Sequence, residues 1–118
     1  MDVYEIIKIC NMHPRVNILT PGPGVGGHCI AVDPYFISSA YPDEARIILQ
    51  AREINNYKAQ WCAEKVRRMM VEVELKNHRA PKVAMMGLAF KPNIDDLRES
   101  PAKLITSRVL QSCNNGNV

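Results

Sequence analysis

The 118 residues predict a mainly α chain: a helical domain whose long connecting helix serves dimerisation, followed by the first β-α unit of an α/β domain. Two observations carry the prediction. The stretch from Ala45 to Asn77 contains neither proline nor glycine, and Ile47, Ala51, Ile54, Trp61, Cys62, Val66, Met69 and Val73 recur at steps of about three and four. After Pro81 the pattern changes to a short apolar run, KVAMMGLAF, then a polar loop and a Ser-Pro pair. The expected division is residues 1–77 for the helical domain and 78–118 for the start of the second, incomplete one.

Taken in order, residues 2–10 form a short helix with Val3, Ile6, Ile7 and Cys10 on one stripe, and Pro14 prevents its continuation. Residues 15–34 are too rich in glycine and proline for a regular element, apart from an extended piece at Val16 to Leu19. Pro42-Asp43-Glu44 opens the next helix, with acidic groups at the positive end of its dipole. Unbroken to Asn77, that helix would be on the order of 50 Å long at about 1.5 Å per residue. Such a length spans two domains or packs against a second subunit; a break at Asn55-Asn56 would instead give two ordinary helices. KVAMMGLAF reads as a buried parallel strand, KPNIDDLRES as a loop, and Ser100-Pro101 as an N-cap and first residue of a helix over Ala102 to Leu110. A polar tail, QSCNNGNV, follows.

Composition bounds the function. A hydrophobic content of 47% supports a core, and a net charge of +3 with scattered basic residues and few aromatics argues against a nucleic-acid platform. No apolar run approaches bilayer length, and the acidic start is unlike a secretion signal, so no membrane association and a cytoplasmic location are expected. Cys10, Cys29, Cys62 and Cys113 lack the close spacing of a zinc or redox pair, and reduced thiols and no metal are expected.

Four of the six glycines fall in PGPGVGGHCIAVDP, residues 21–34. Gly22, Gly24 and Gly27 match G-x-G-x-x-G, but Pro21 and Pro23 remove amides from the turn that would donate them and no helix is expected straight after it. Dinucleotide binding by this loop is therefore disfavoured. Gly26-Gly27 instead permits close backbone approach just before His28-Cys29. Asp33, four residues on, faces the same pocket if the segment turns helically. A thiol beside a carboxylate suits covalent chemistry at a carbonyl carbon. A buried structural cysteine, or a metal site including His28, stays open on the residues alone. A thiol hydrolase on His28 and Cys29 is unattractive, because adjacent side chains on extended backbone point apart.

PGPGVGGHCIAVDPYF and GLAFKPNIDDLRESPA, in that order and separated by a helical stretch containing AREINNYKAQ, closely resemble the UDP-glucose/GDP-mannose dehydrogenase family. The resemblance implies a two-step, four-electron oxidation of a nucleotide sugar's primary alcohol to a carboxylate with two NAD. In it Cys29 attacks the aldehyde-level intermediate to form a thiohemiacetal, later a thioester, and Asp33 assists proton transfer or activates water. Gly24, Gly26 and Gly27 lie over the sugar and phosphates, Lys91 contacts the substrate, and Arg15 is a weaker match to an arginine reaching a neighbouring subunit's substrate. It further implies a homodimer or higher homo-oligomer and a Rossmann-like character for the second domain. The forms His28 to Pro34, NMHPRVNI and FKPNIDDLRESPA favour UDP-N-acetyl-D-mannosamine, oxidised to the mannosaminuronate; UDP-glucose and GDP-mannose are the alternatives, and a catalytically inert dimerisation module is the non-enzymatic one. Family members are roughly three times longer and begin with an NAD-binding domain, so the chain resembles a fragment that is inactive in isolation, and its NAD-binding residues are unassigned.

Overall fold

A computed structural model describes residues 2–114 and contains four helices: α1, Val3–Cys10; α2, Asp33–Ala40; α3, Arg46–Asn77; and α4, Pro101–Asn114. The last four residues of the expected polar tail lie outside the described residues, and α4 takes in the rest.

α1 starts where Asp2 caps it, the carboxylate accepting from the Tyr4 amide at 3.0 Å. It ends at Asn11, before Pro14 is reached, because Asn11 turns its side chain forward: Oδ1 accepts from the Ile18 amide at 2.7 Å and Nδ2 donates to the Ile18 carbonyl at 3.1 Å. α1 packs on none of the other helices. α2 was not foreseen. It follows the glycine-rich segment directly, with Pro34 in its first turn, where the missing amide hydrogen has no partner to lose.

α3 runs unbroken for 32 residues, close to the full 52 Å of the molecule's longest dimension. Asn55 does not interrupt it because its amide bonds to another segment and leaves the helix's own backbone alone. The start lies at Arg46, four residues beyond Pro42, and the left-handed His78 (φ 51°) ends the helix after Asn77. The buried face also differs from the expected stripe. Ile47 and Ile54 are 82% and 61% exposed, whereas Ala59 and Ala63 meet Ile105 and Val109 of α4, flanked by Cys62, Val66, Met70, Met85 and Cys113. Two alanines one turn apart let α4 approach closely enough to fill the gap with its own side chains.

The expected β-α unit is not formed. No β-strand is found among the described residues, so the Rossmann-like assignment for the second part falls with it. KVAMMGLAF lies as irregular chain with Met85 on the core and Met86 88% exposed. An apolar run becomes a strand only when a neighbour takes up its amides and carbonyls, and no such neighbour exists among these residues. What the segment has instead are local ties: the Leu88 carbonyl accepts from Ser100 Oγ at 2.6 Å, and the Phe90 amide donates to the Asp96 carbonyl at 3.4 Å. The helical half of the unit does form. Ser100 caps α4, its Oγ accepting from the Lys103 amide at 3.4 Å, and Pro101 occupies the first position.

Candidate functional site

The glycine-rich loop sits where α3, the start of α4 and the 87–101 segment converge, and each contact has a named cause. Gly26 lies so close to the backbone before α4 that a Cβ there would meet the Glu99 carbonyl oxygen at 2.1 Å and Pro101 Cδ at 2.7 Å. At Gly27, with φ +97°, the same atom would meet Phe90 at 3.1 Å, and at Gly24, with φ +148°, it would meet Pro101 at 3.1 Å. Glycine is required at 24 and 27 for the backbone angle and at 26 for the approach. The two segments quoted above, far apart in sequence, are thus one packed unit.

From the other side α3 holds Val25. The Val25 amide donates to Asn55 Oδ1 at 2.7 Å, while its carbonyl accepts from Asn55 Nδ2 at 3.2 Å and Arg52 Nη1 at 3.3 Å. Arg52 is buried, with its Nε lacking a hydrogen-bond partner. A cleft of about 270 Å³ opens here, lined by Val25, Arg52, Asn55, Glu99, Ser100 and Pro101 among others. Arg52 was not singled out from the sequence, and Asn55 drew notice only as a point where the long helix could break. Both lie within AREINNYKAQ, and their spacing of three residues puts them on one helix face, which was the available signal.

Beyond the glycines, His28, Cys29 and Ile30 are exposed. The Cys29 carbonyl accepts from the Val32 amide at 2.9 Å and the Asp33 amide at 2.8 Å, so the chain from 29 to 33 makes one helical turn into α2. Cys29 and Asp33, the first residue of α2 and also exposed, therefore stand one turn apart. All four cysteines are free thiols, and Cys29 is the exposed one among them.

Lys91 is exposed, its ammonium 5.7 Å from the ring of Phe90, the same ring that packs on Gly27. Arg15 is exposed in the turn after α1, where its amide donates to His13 Nδ1 at 3.2 Å. The loop around Lys91 is braced by Asp96 and Arg98. The carboxylate accepts from Arg98 Nη2 at 2.7 Å, Nε at 3.0 Å and the Arg98 amide at 2.9 Å. These bonds, chiefly the side-chain ones, hold the Asp96 carboxyl well below its ordinary value, at about 2, with a small further contribution from His28. The same pairing raises the Arg98 guanidinium.

Among the described residues no three His, Cys, Asp or Glu side chains gather as a metal site would need, and no helix is long and apolar enough to cross a membrane. A dinucleotide does not fit the G-x-G-x-x-G loop: α2 begins only six residues past Gly27, no strand feeds the turn, and the Val25 amide is already engaged by Asn55.

Residues 1–57 match the central domain of the UDP-glucose/GDP-mannose dehydrogenase family. The chain is 53% identical over 114 residues to a UDP-N-acetyl-D-mannosamine dehydrogenase of Escherichia coli (strain K12), covering 94% of this chain and 27% of that protein. It is 50% identical over 111 residues to an NDP-N-acetyl-D-galactosaminuronic acid dehydrogenase of Ralstonia solanacearum, covering 94% of this chain and 25% of that protein. A solved structure of a UDP-D-ManNAc dehydrogenase from Pyrococcus horikoshii superposes with a TM-score of 0.71 at 38% identity, over 95% of this chain and 27% of that one. The chain spans about a quarter of the length of these relatives. Over nearly all of its own length and about a quarter of theirs, the chain thus matches members of the UDP-glucose/GDP-mannose dehydrogenase family.

Proposed function

We propose that the chain supplies the nucleophile and part of the sugar cradle of a cytoplasmic, NAD-dependent nucleotide-sugar 6-dehydrogenase acting on UDP-N-acetyl-D-mannosamine. The observation that carries the reading is the docking of the Gly24–Gly27 loop on Phe90, Glu99 and Pro101 with Cys29 left exposed just beyond it. A free, accessible thiol on a backbone fixed by neighbours suits attack on a carbonyl better than it suits a structural cysteine, which is ordinarily buried.

In this mechanism the Cys29 thiolate forms a carbon–sulfur bond to the aldehyde carbon of the half-oxidised sugar. The carbonyl oxygen takes a proton and a thiohemiacetal results. Removal of the carbon's hydrogen as hydride and of the hydroxyl proton, two electrons and two protons in all, converts it to a thioester, and water then cleaves the carbon–sulfur bond to give the acid and return the thiol. Asp33, one helical turn away, moves protons in the first and last of these steps. Lys91, beside the Phe90 contact, and the amides of Gly24, Gly26 and Gly27 face the nucleotide sugar, and Arg15 reaches a neighbouring subunit's substrate. The electron acceptor is NAD, for which the residues described here provide no binding fold, so no step is assigned to it. Homodimerisation is proposed through α3, whose Ile47, Ile54 and Tyr57 are exposed on a helix with α2 and α4 elsewhere along it. The boundary between the helical part and the second domain is proposed at residue 77, where His78 ends α3.

The test is a substrate panel on the dehydrogenase carrying this chain. The expected result is oxidation of UDP-N-acetyl-D-mannosamine with two NAD reduced per acid formed. A kcat/KM for UDP-glucose or GDP-mannose more than about tenfold higher, about 1.4 kcal/mol of transition-state discrimination, would overturn the substrate assignment. No turnover of any of the three would leave the chain an inert helical module.

A further inference from the structure

Val25 stands four residues before Cys29, and both of its polar backbone groups are taken by one side chain of α3. Asn55 accepts from the amide at 2.7 Å and donates to the carbonyl at 3.2 Å, as a neighbouring strand would. Arg52, one turn earlier on the same face, adds a bond to that carbonyl at 3.3 Å. An arginine only 7% exposed, with its buried Nε unpartnered, is a poor choice for stability alone. Leaving a buried donor unmet costs free energy, and well-packed apolar side chains commonly serve at least as well at such positions. What the pair contributes is orientation. Downstream, the Cys29 carbonyl is held by the Val32 and Asp33 amides. Between the two anchors Gly26 and Gly27 press on Glu99 and Phe90. The thiol is therefore open to solvent while the backbone carrying it is fixed on both sides.

We infer that Arg52 and Asn55 are positioning residues that set the direction in which Cys29 is presented, an inference that rests on the function proposed above. Freed from Asn55, the Val25 peptide plane can rotate, and that rotation moves the thiol away from an attacking geometry, where displacements near 1 Å cost about a hundredfold in rate.

The test uses Asn55→Ala, Asn55→Asp and Arg52→Lys. Asn55→Asp keeps the oxygen that accepts from the Val25 amide, so it is the conservative rescue. In this chain, amide exchange at Val25 should quicken by about tenfold or more in Asn55→Ala and stay slow in Asn55→Asp, with the exchange of α3 amides unchanged. Alkylation of Cys29, normalised to Cys10 in the same sample, should change by about threefold or more in Asn55→Ala. These two readouts need no turnover, so they judge the clamp even if the proposed function fails. In the dehydrogenase, Asn55→Ala should lower kcat by about a hundredfold with KM altered by less than about threefold, and Asn55→Asp should recover most of the loss. Arg52→Lys, which keeps the charge but loses the planar fork, should lower kcat by about tenfold and serves as the second variant should Asn55→Ala fail to fold. Unchanged Val25 exchange in Asn55→Ala would overturn the clamp. Freed exchange with native kcat, or a raised KM with native kcat, would overturn the positioning role.

Discussion

Replacing Gly26 by alanine should separate the two segments that make the site. The new Cβ would start 2.1 Å from the Glu99 carbonyl oxygen and 3.0 Å from its carbon, so about 0.9 Å of separation is needed before it reaches even the shortest contacts real Cβ atoms show. Neither side can yield easily. Val25 is bonded to Asn55 and Arg52, while Glu99 already has a left-handed backbone (φ 46°) and precedes the buried cap Ser100. Overpacking costs about 1–3 kcal/mol, and lifting the loop would also sacrifice hydrogen bonds worth about 1 kcal/mol each. A loss of about 3 kcal/mol is expected, which for a chain of this size is a fall in Tm of roughly 12 °C. Gly22→Ala is the control, since nothing lies within 4 Å of its Cβ position; it should be neutral or slightly stabilising, by up to about 1 kcal/mol. Urea denaturation of both variants measures the difference. A Gly26→Ala stability within about 0.5 kcal/mol of the parent would refute the packing on which the site rests.

Three further outcomes follow from the same geometry. Asp96 titrates at about 2 against an ordinary 3.8, so whatever its ionised form contributes to stability is fully present above the ordinary value and is lost as pH falls through about 2. Arg98→Gln should return the carboxyl toward its ordinary value, as NMR titration of Asp96 would show; an unmoved titration would reject Arg98 as the main cause. Ser100→Ala removes both the cap of α4 and the partner of the Leu88 carbonyl and should cost about 1–2 kcal/mol in a denaturation curve, with loss of helix at the start of α4. Ala63→Leu puts a large side chain where the residue is fully buried between α3 and α4, and a stability loss of about 1–3 kcal/mol is expected from the same measurement.

The parts legible in the sequence were those whose signals are local. The apolar repeat of α1, the unbroken length of α3 and the Ser100-Pro101 cap each depend on residues within a turn or two of one another. α2 was hidden because proline and the preceding glycines count against a helix, although Pro34 falls in the one turn that tolerates it. The strand at KVAMMGLAF was expected from apolar content, but a strand is a relation between two segments and one segment cannot declare it. The face of α3 was misread because large side chains drew attention to Ile47 and Ile54, whereas close helix approach made Ala59 and Ala63 the buried positions. At the site, the motifs named Cys29, Asp33, Lys91 and the glycines. That Gly26 rests on Glu99, and that a buried arginine and an asparagine grip Val25, depends on contacts across dozens of residues that no spacing rule encodes.

On the proposed reading, Cys29 is a nucleophile presented by this packed loop. The most direct measurement is mass spectrometry of the dehydrogenase quenched during a single turnover of UDP-N-acetyl-D-mannosamine. A covalent sugar adduct on the peptide containing Cys29, absent from a Cys29→Ser variant that no longer forms acid, is the predicted result. Acid formation at nearly the native rate by Cys29→Ser, with no adduct in the native enzyme, would contradict it.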